Sequence, residues 1–292
     1  MSSKSHLPSV VELKQAYRIV RSKQIPSVPN ILLDLYAELE HEEPDTAMVS
    51  DLVAMDPAIT GQVIKLVNAP QFGLEQPVHS IKQAIVLLGM GQIRNLVVAA
   101  AFRKSIQATS PAAIQIWNDS LREAQVAMDI AHHVQDISED EAYLTALLHN
   151  CGALLLAEKF TFYDQLLALE IERPVSLINQ EIRQIGTSHA VTGFLFAMHW
   201  KLSQRICQAI YLHHALKHDE VEDSKLRALI ATIKLAHLLV TERDFPDGTF
   251  APERILYLSY AKEELMLDDE FLDELRVHVI PKLDDSLSGF SE

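Results

Sequence analysis

The chain has 292 residues, 48% of them hydrophobic, and carries 40 acidic against 25 basic side chains, for a formal charge of −15. That length and apolar share fit one large domain or two lobes with a sizeable core, and they exclude a disordered chain. The acidity repels phosphate backbones, so nucleic acid is not an expected partner.

Glycine is scarce, at nine residues, where ordinary composition would give about twenty. Flexible Gly-rich linkers and most Gly-rich phosphate loops are excluded with it. Neither GxGxxG nor a P-loop occurs. Few glycines also mean few left-handed turns, which favours helices. The charge is uneven: residues 1–24 are basic, residues 25–64 carry only acid, and acid returns from Glu263 to Asp285. A solvated surface is the simplest reading of such runs. Cys151 and Cys207 sit in apolar helical patterns without a CxxC, which fits a reducing compartment. The N-terminal decapeptide lacks the apolar run of a signal peptide. The most apolar stretches, such as 142–157, are too short to span a bilayer. The expected localisation is cytoplasmic, with no membrane span.

Helical periodicity recurs along the whole chain, and clean two-residue alternation is absent. A short amphipathic helix is predicted over 10–21, followed by a Pro-punctuated entry at 25–30. Helices follow over 30–39, 46–55 and 57–68, the last with Asp56 as cap and Pro57 at its first position. Residues 69–79 read as a loop, in which Asn68, Phe72 and Gly73 set the turn. Two apolar helices, 80–88 and 92–106, flank Gly89-Met90-Gly91. The second half predicts a helix over 114–134, then one continuous buried helix over 139–160. Further helices fall at 163–170, 176–186, 188–200, 203–216, 224–241, 252–256 and 268–279. The fold class is all-α, a two-lobe helical bundle.

Histidine is the chemical clue. Several of the 13 lie in the second half, among them 132, 133, 149, 189, 199, 213, 214, 218 and 237. Imidazole is the commonest transition-metal ligand and a frequent acid or base near neutral pH. A single histidine on an apolar helix is usually a satisfied core residue; a set on successive helices is harder to dismiss.

Longer motifs carry a family resemblance. They are IPSVPN (25–30), AMDPAITGQVIKLVNAPQFG (54–73), PVHSIKQAIVLLGMGQIRNLV (77–97), IWNDSLREAQVA (116–127), AYLTALLHNCGALLLA (142–157), SHAVTGFLFAMHW (188–200) and AIYLHH (209–214). Over about residues 21–218 the chain resembles the HDOD domains, the HD-related output domain group. The resemblance implies an N-terminal helix (1–20), an HDOD domain (21–218) and a C-terminal helical extension (219–292). Within the HDOD domain, lobe one would run from about 21 to 106 and an HD-like lobe from about 107 to 218, with the extension packed on the latter.

That group is related to metal-dependent HD phosphohydrolases, whose scheme is an early His, a His-Asp pair and a late Asp. Here Asp119 stands at the early His and the pair is His149-Asn150. His189, His213 and His214 match positions seen as His in many relatives, and His237 falls where the late Asp would be. The pair's carboxylate would bridge two metals and help make a hydroxide; an amide bridges poorly. The vestigial positions are therefore Asp119, His149, Asn150, His189, His213, His214 and His237, with no catalytic residue assigned. No cofactor is expected. A divalent transition metal is the alternative, with Asp119, His149, His189, His213 and His237 as candidate ligands.

Trp117 and Trp200 read as core anchors, Ser188 as a helix cap, and Cys151 as an inert buried thiol. The resemblance implies a non-catalytic regulatory protein of bacterial signal transduction. It would act on an unidentified signalling protein or sense a small nucleotide-like ligand. The alternative is a metal-dependent phosphohydrolase acting on a nucleotide or cyclic dinucleotide, for which Arg122, Arg183, Lys201 and Arg205 are the nearby cations.

Overall fold

The structure is a computed structural model that describes residues 7–21, 25–68, 74, 76–106, 108–134, 137–172, 174–216, 221–244 and 252–279. Phe72, Gly73, His218, Asp284 and Asp285 lie outside the described residues. Every regular element among the described residues is a helix, so the all-α expectation holds. Two compact units emerge. One holds Pro26–Gln107; the other joins Met1–Ile25 to Ala108–Leu287.

The smaller unit contains α2 (Asn30–Leu39), α3 (Thr46–Ala54), α4 (Pro57–Val67) and α5 (Ile81–Ser105). Asp56 caps α4 as its sequence predicts, accepting from the Ala58 and Ile59 amides at 3.1 Å. It also pairs with Lys104 at 2.5 Å, and the Lys104 hydrogen bond holds its carboxyl below the usual range. Asn68 does more than end a helix. Its side chain accepts from the Val78 amide at 2.7 Å and donates to the Val78 carbonyl at 2.8 Å, so one amide side chain pins the return of the chain.

The two helices expected around Gly89 are joined end to end in α5, with Gly89 at φ +83 as the kink. That conformation suits glycine and strains other residues. By length and composition α5 is apolar enough to cross a bilayer, yet 56% of its apolar window is buried inside the protein. The buried second half, from Ile93 to Phe102, supplies much of this unit's core.

The larger unit contains α1 (Val10–Val20), α6 (Pro111–His133), α7 (Glu139–Leu148), α8 (Cys151–Ala157), α9 (Tyr163–Glu172), α10 (Pro174–Gln184), α11 (His189–His199), α12 (Gln204–Leu212), α13 (Ser224–Asp244), α14 (Pro252–Leu265) and α15 (Asp269–Val279). Polar side chains start these helices. Ser9 and Glu12 form a capping box on α1, while Ser110, Ser188 and Ser203 cap α6, α11 and α12. Glu158 accepts from the Thr109 and Ser110 amides, and Glu253 from the Val175 and Ser176 amides, so carboxylates from distant elements close two more helix starts. Few helix ends use a left-handed residue: among the described residues, positive φ occurs only at Gly89, Gly186, Lys201 and Met266.

Two expectations are corrected here. The continuous helix over 139–160 is broken at His149 and Asn150 into α7 and α8, with Asn150 at φ −97 and ψ 15. The His149 ring takes the Ala146 carbonyl at 2.6 Å, the acceptor a further helical turn would use. The short helix over 252–256 runs on to Leu265 instead, because Tyr257, Ala261 and Leu265 form a buried stripe at four-residue spacing. The polar letters between them hid it.

Two glycines fix the centre of the larger unit. A Cβ on Gly152 would lie 2.0 Å from the His189 carbonyl oxygen and 2.5 Å from the Gly193 nitrogen. So α8 crosses the first turns of α11 backbone to backbone, and only glycine permits it. That crossing sets the start of α11 beside the His149-Asn150 break.

Candidate functional site

Five of the histidines singled out in the sequence converge in the larger unit, in two groups of three ligand-bearing residues. One group is His189, His213 and His214; the other is Glu123, His149 and His237. In each, the potential ligand atoms lie within 4.8 Å of one another. His189 opens α11, His213 and His214 follow α12, and His149 sits at the α7–α8 break. Glu123 comes from α6 and His237 from α13. The His149 and His213 rings meet edge to face at 5.0 Å, which joins the groups.

The first group is built from its outer nitrogens inward. His189 donates its Nδ1–H to Glu181 at 2.9 Å. Glu181 is fully buried and also accepts from the His189 amide and the Tyr163 hydroxyl, so it acts as a carboxylate acceptor. The His213 Nδ1–H donates to the Ile210 carbonyl at 2.6 Å, an oxygen that can only accept. The His214 Nδ1–H faces the Tyr257 hydroxyl at 2.9 Å, while that hydroxyl donates to the His214 carbonyl at 3.3 Å. Each Nδ1 thus carries a proton, and in neutral rings each Nε2 carries a lone pair. The three Nε2 atoms point inward, with His189 3.2 Å from His213 and 2.9 Å from His214. Burial and the neighbouring imidazoles push His213 and His214 well below the ordinary histidine range, which keeps them neutral.

The second group closes differently. The His149 Nδ1–H goes to Ala146, so its Nε2 faces Glu123 at 3.1 Å as an acceptor. Burial pushes Glu123 up to about 7, with His149 opposing and Asp119 adding to the rise. His237 Nδ1 donates to the other Glu123 oxygen at 2.9 Å. The Glu123 Oε2 that faces His149 is a buried carboxyl oxygen without a hydrogen bond in this geometry.

Asp119 stands outside both groups. Its carboxylate pairs with Arg122 at 3.0 Å, and its side chain is 27% exposed. Asn150 is buried at the helix break beside His149. Arg205 pairs with Glu141 and Asp223. Trp117 and Trp200 are buried, with Trp200 stacked near Phe196. Cys151 is buried against α11, and burial raises its thiol far above the usual range.

The sequence reading missed Glu123, Glu181, Tyr257 and Lys234. Glu123 lies one helical turn after Asp119, on the same side of its helix, which was its available signal. Glu181 resembles any charged residue of an amphipathic helix. Lys234 is 1% exposed, lies 4.2 Å over the Tyr257 ring and bonds to the Ala215 carbonyl. Burial lowers its amine to about 7.

Of the positions that the resemblance assigns to the HD scheme, Asp119 is an acid paired with Arg122 and Asn150 an amide at the helix break. The three convergent imidazoles do fit a single transition-metal ion, for which neutral nitrogen donors with anchored second nitrogens are suited.

Comparison with known proteins agrees with the architecture. The HDOD domain family matches residues 25–216. An uncharacterised protein of Treponema pallidum (strain Nichols) is 26% identical over 239 residues, 80% of this chain and 45% of that one. The cyclic di-GMP phosphodiesterase CdgJ of Vibrio cholerae serotype O1 is 27% identical over 138 residues, 47% of this chain and 31% of that one. This chain therefore spans less than half the length of either relative. Among solved structures, a candidate signal transduction protein from Marinobacter aquaeolei VT8 has TM-score 0.73 at 19% identity, covering 98% of this chain and 66% of that one. That likeness speaks for the fold. His237, Lys234 and Tyr257 lie beyond the matched family segment, so α13 and α14 complete a site that the family segment begins. With its motifs, its helical architecture and a match over most of its length in agreement, the chain belongs to the HDOD domain family.

Proposed function

We propose that this chain is a non-catalytic regulatory protein of bacterial signal transduction, acting in the cytoplasm through contact with a signalling protein or through sensing of a small nucleotide-like ligand. The observation that carries the reading is the pair His149-Asn150, in which an amide replaces the carboxylate that would bridge two metals. Asp119, the other substituted position, is engaged by Arg122 rather than by either histidine group. A pocket lacking both groups has no ready means of making a metal-bridging hydroxide. The organisation follows the same reading: a 21–218 HDOD domain with an extension at 219–292 that contributes to its pocket.

A second reading has its own support. A metal-dependent phosphohydrolase is favoured by the convergent imidazoles and by the likeness to the Vibrio cholerae phosphodiesterase. Assay of the full chain against cyclic dinucleotides and nucleotides with Mn, Fe, Ni, Co and Zn separates the two. The regulatory reading expects no turnover above that of His149→Ala. Metal-dependent turnover that His149→Ala abolishes would defeat it.

A further inference from the structure

We infer that two copies of this chain associate through an antiparallel helix pair, the outer face of α1 on one copy lying along the outer face of α3 on the other. Such a pairing is independent of whether the chain is regulatory or hydrolytic.

Helical spacing defines both faces. In α1, Ala16 and Val20 are buried and the helix packs on α11. Its other side presents Val10, Val11, Lys14, Tyr17, Arg18 and Arg21, all exposed, with Val11 at 76%. In α3, Val49 and Val53 are buried towards α2 and α5. Its exposed stripe is Met48, Asp51 and the closing residue Met55, the last at 79%. Methionine side chains are pliable and suit a contact surface.

Charge says what covers each face. Lys14, Arg18 and Arg21 make no ion pair among the described residues, and neither do Glu42, Glu43 or Asp51. The acids near the C-terminus are less available, since Asp269 pairs with Lys262 and Asp273 with Arg276. Both stripes are exposed within one chain, which leaves each for a second copy.

The spacings then match in one direction. Counting forward from Val10, Lys14 is four residues on, Tyr17 seven and Arg21 eleven. Counting back from Met55, Asp51 is four residues on, Met48 seven and Pro44 eleven. An antiparallel alignment sets Val10 against Met55, Lys14 against Asp51 and Tyr17 against Met48. It also brings Arg21 to the turn that holds Glu42 and Glu43. A parallel alignment would carry Arg18 and Arg21 past Met55, where Asp56 is already paired with Lys104. A helix of 11 residues spans only about 16 Å. One such contact is small for a stable interface, and a reciprocal pair makes it twice. Weak, salt-sensitive association is the expectation.

The test is sedimentation velocity on the full chain. The wild type should associate as its concentration rises to about 0.1 mM at low ionic strength. It should dissociate in about 1 M NaCl, where the screening length falls to about 3 Å. Lys14→Glu and Asp51→Lys should each weaken association about 10-fold or more, by setting like charges opposite each other. Mixing the two variants should restore it, because every charge then meets its opposite on the other copy. Both side chains are exposed and make no ion pair among the described residues, so both variants should keep the wild-type unfolding midpoint. A wild type that stays monomeric, or association that high salt leaves unchanged, would overturn the pairing. So would variants that fail to recover on mixing, including the case where only the double variant recovers, which would put the contact inside one chain.

Discussion

The two groups of three in the larger unit use similar residues and reach opposite electrostatic solutions. In Glu123, His149 and His237 a carboxyl group lies between two imidazoles, at 3.1 Å from one and 2.9 Å from the other. In His189, His213 and His214 the carboxylate, Glu181, lies outside the trio and pulls a proton outward. The three Nε2 atoms meet in the centre, His189 lying 3.2 Å from His213 and 2.9 Å from His214. The placement of a single acid, inside or outside the cluster, therefore decides whether the imidazoles face a carboxyl group or one another.

The largest effect should come from the crossing that sets both groups beside each other. Gly152→Ala pushes a methyl into the α11 backbone, which cannot yield as a flexible side chain would. A loss of about 3 kcal/mol or more is expected in denaturant unfolding. A wild-type-like midpoint would show that α8 and α11 are not so tightly engaged.

Lys234 sharpens the contrast from the side of the first group. Its amine is held near 7 when folded, against 10.5 in the unfolded chain. Below pH 7 both states are protonated and the folded state bears the burial cost in full. Between 7 and 10.5 the unfolded chain binds more protons, so this group makes stability rise with pH, by a few kcal/mol at most. Lys234→Met should flatten that rise in unfolding curves at pH 7 to 10. An unchanged slope would mean the amine is charged as well as buried.

Glu123 gives the opposite sign in the second group. Its carboxyl is raised to about 7 from 4.5, with His149, His237 and Asp119 as the titratable groups facing it. The folded state holds this proton more tightly, so the contribution is complete below pH 4.5 and is lost as pH rises through 7. Glu123→Gln keeps the shape without the titration. It should stabilise the protein at pH 8 by about 2 kcal/mol while changing little at pH 5. Equal effects at both values would contradict a proton-bearing Glu123. The smallest effect is expected at the rim: Arg205→Ala removes partly exposed pairs with Glu141 and Asp223 and should cost about 1 kcal/mol or less, declining further in high salt.

Much of the fold was legible because helices announce themselves locally. Serine and aspartate caps, Pro57 at a first turn, and apolar periodicity need no tertiary knowledge. The break at His149 was hidden, since it arises from a ring bonding back to Ala146 and from the Gly152 contact with α11. Those causes act across space or inside one side chain. The site divided in the same way. The five histidines were visible as a residue type on successive helices. Glu123, Glu181 and Tyr257 look ordinary in sequence, and only packing shows which acid stands between imidazoles and which behind one. The resemblance makes Asp119 a candidate ligand, whereas its carboxylate turns to Arg122.

The most direct test of the regulatory reading is turnover. The full chain, assayed against cyclic dinucleotides and nucleotides with Mn, Fe, Ni, Co and Zn, should give no turnover above that of His149→Ala. Metal-dependent turnover that His149→Ala abolishes would contradict the account.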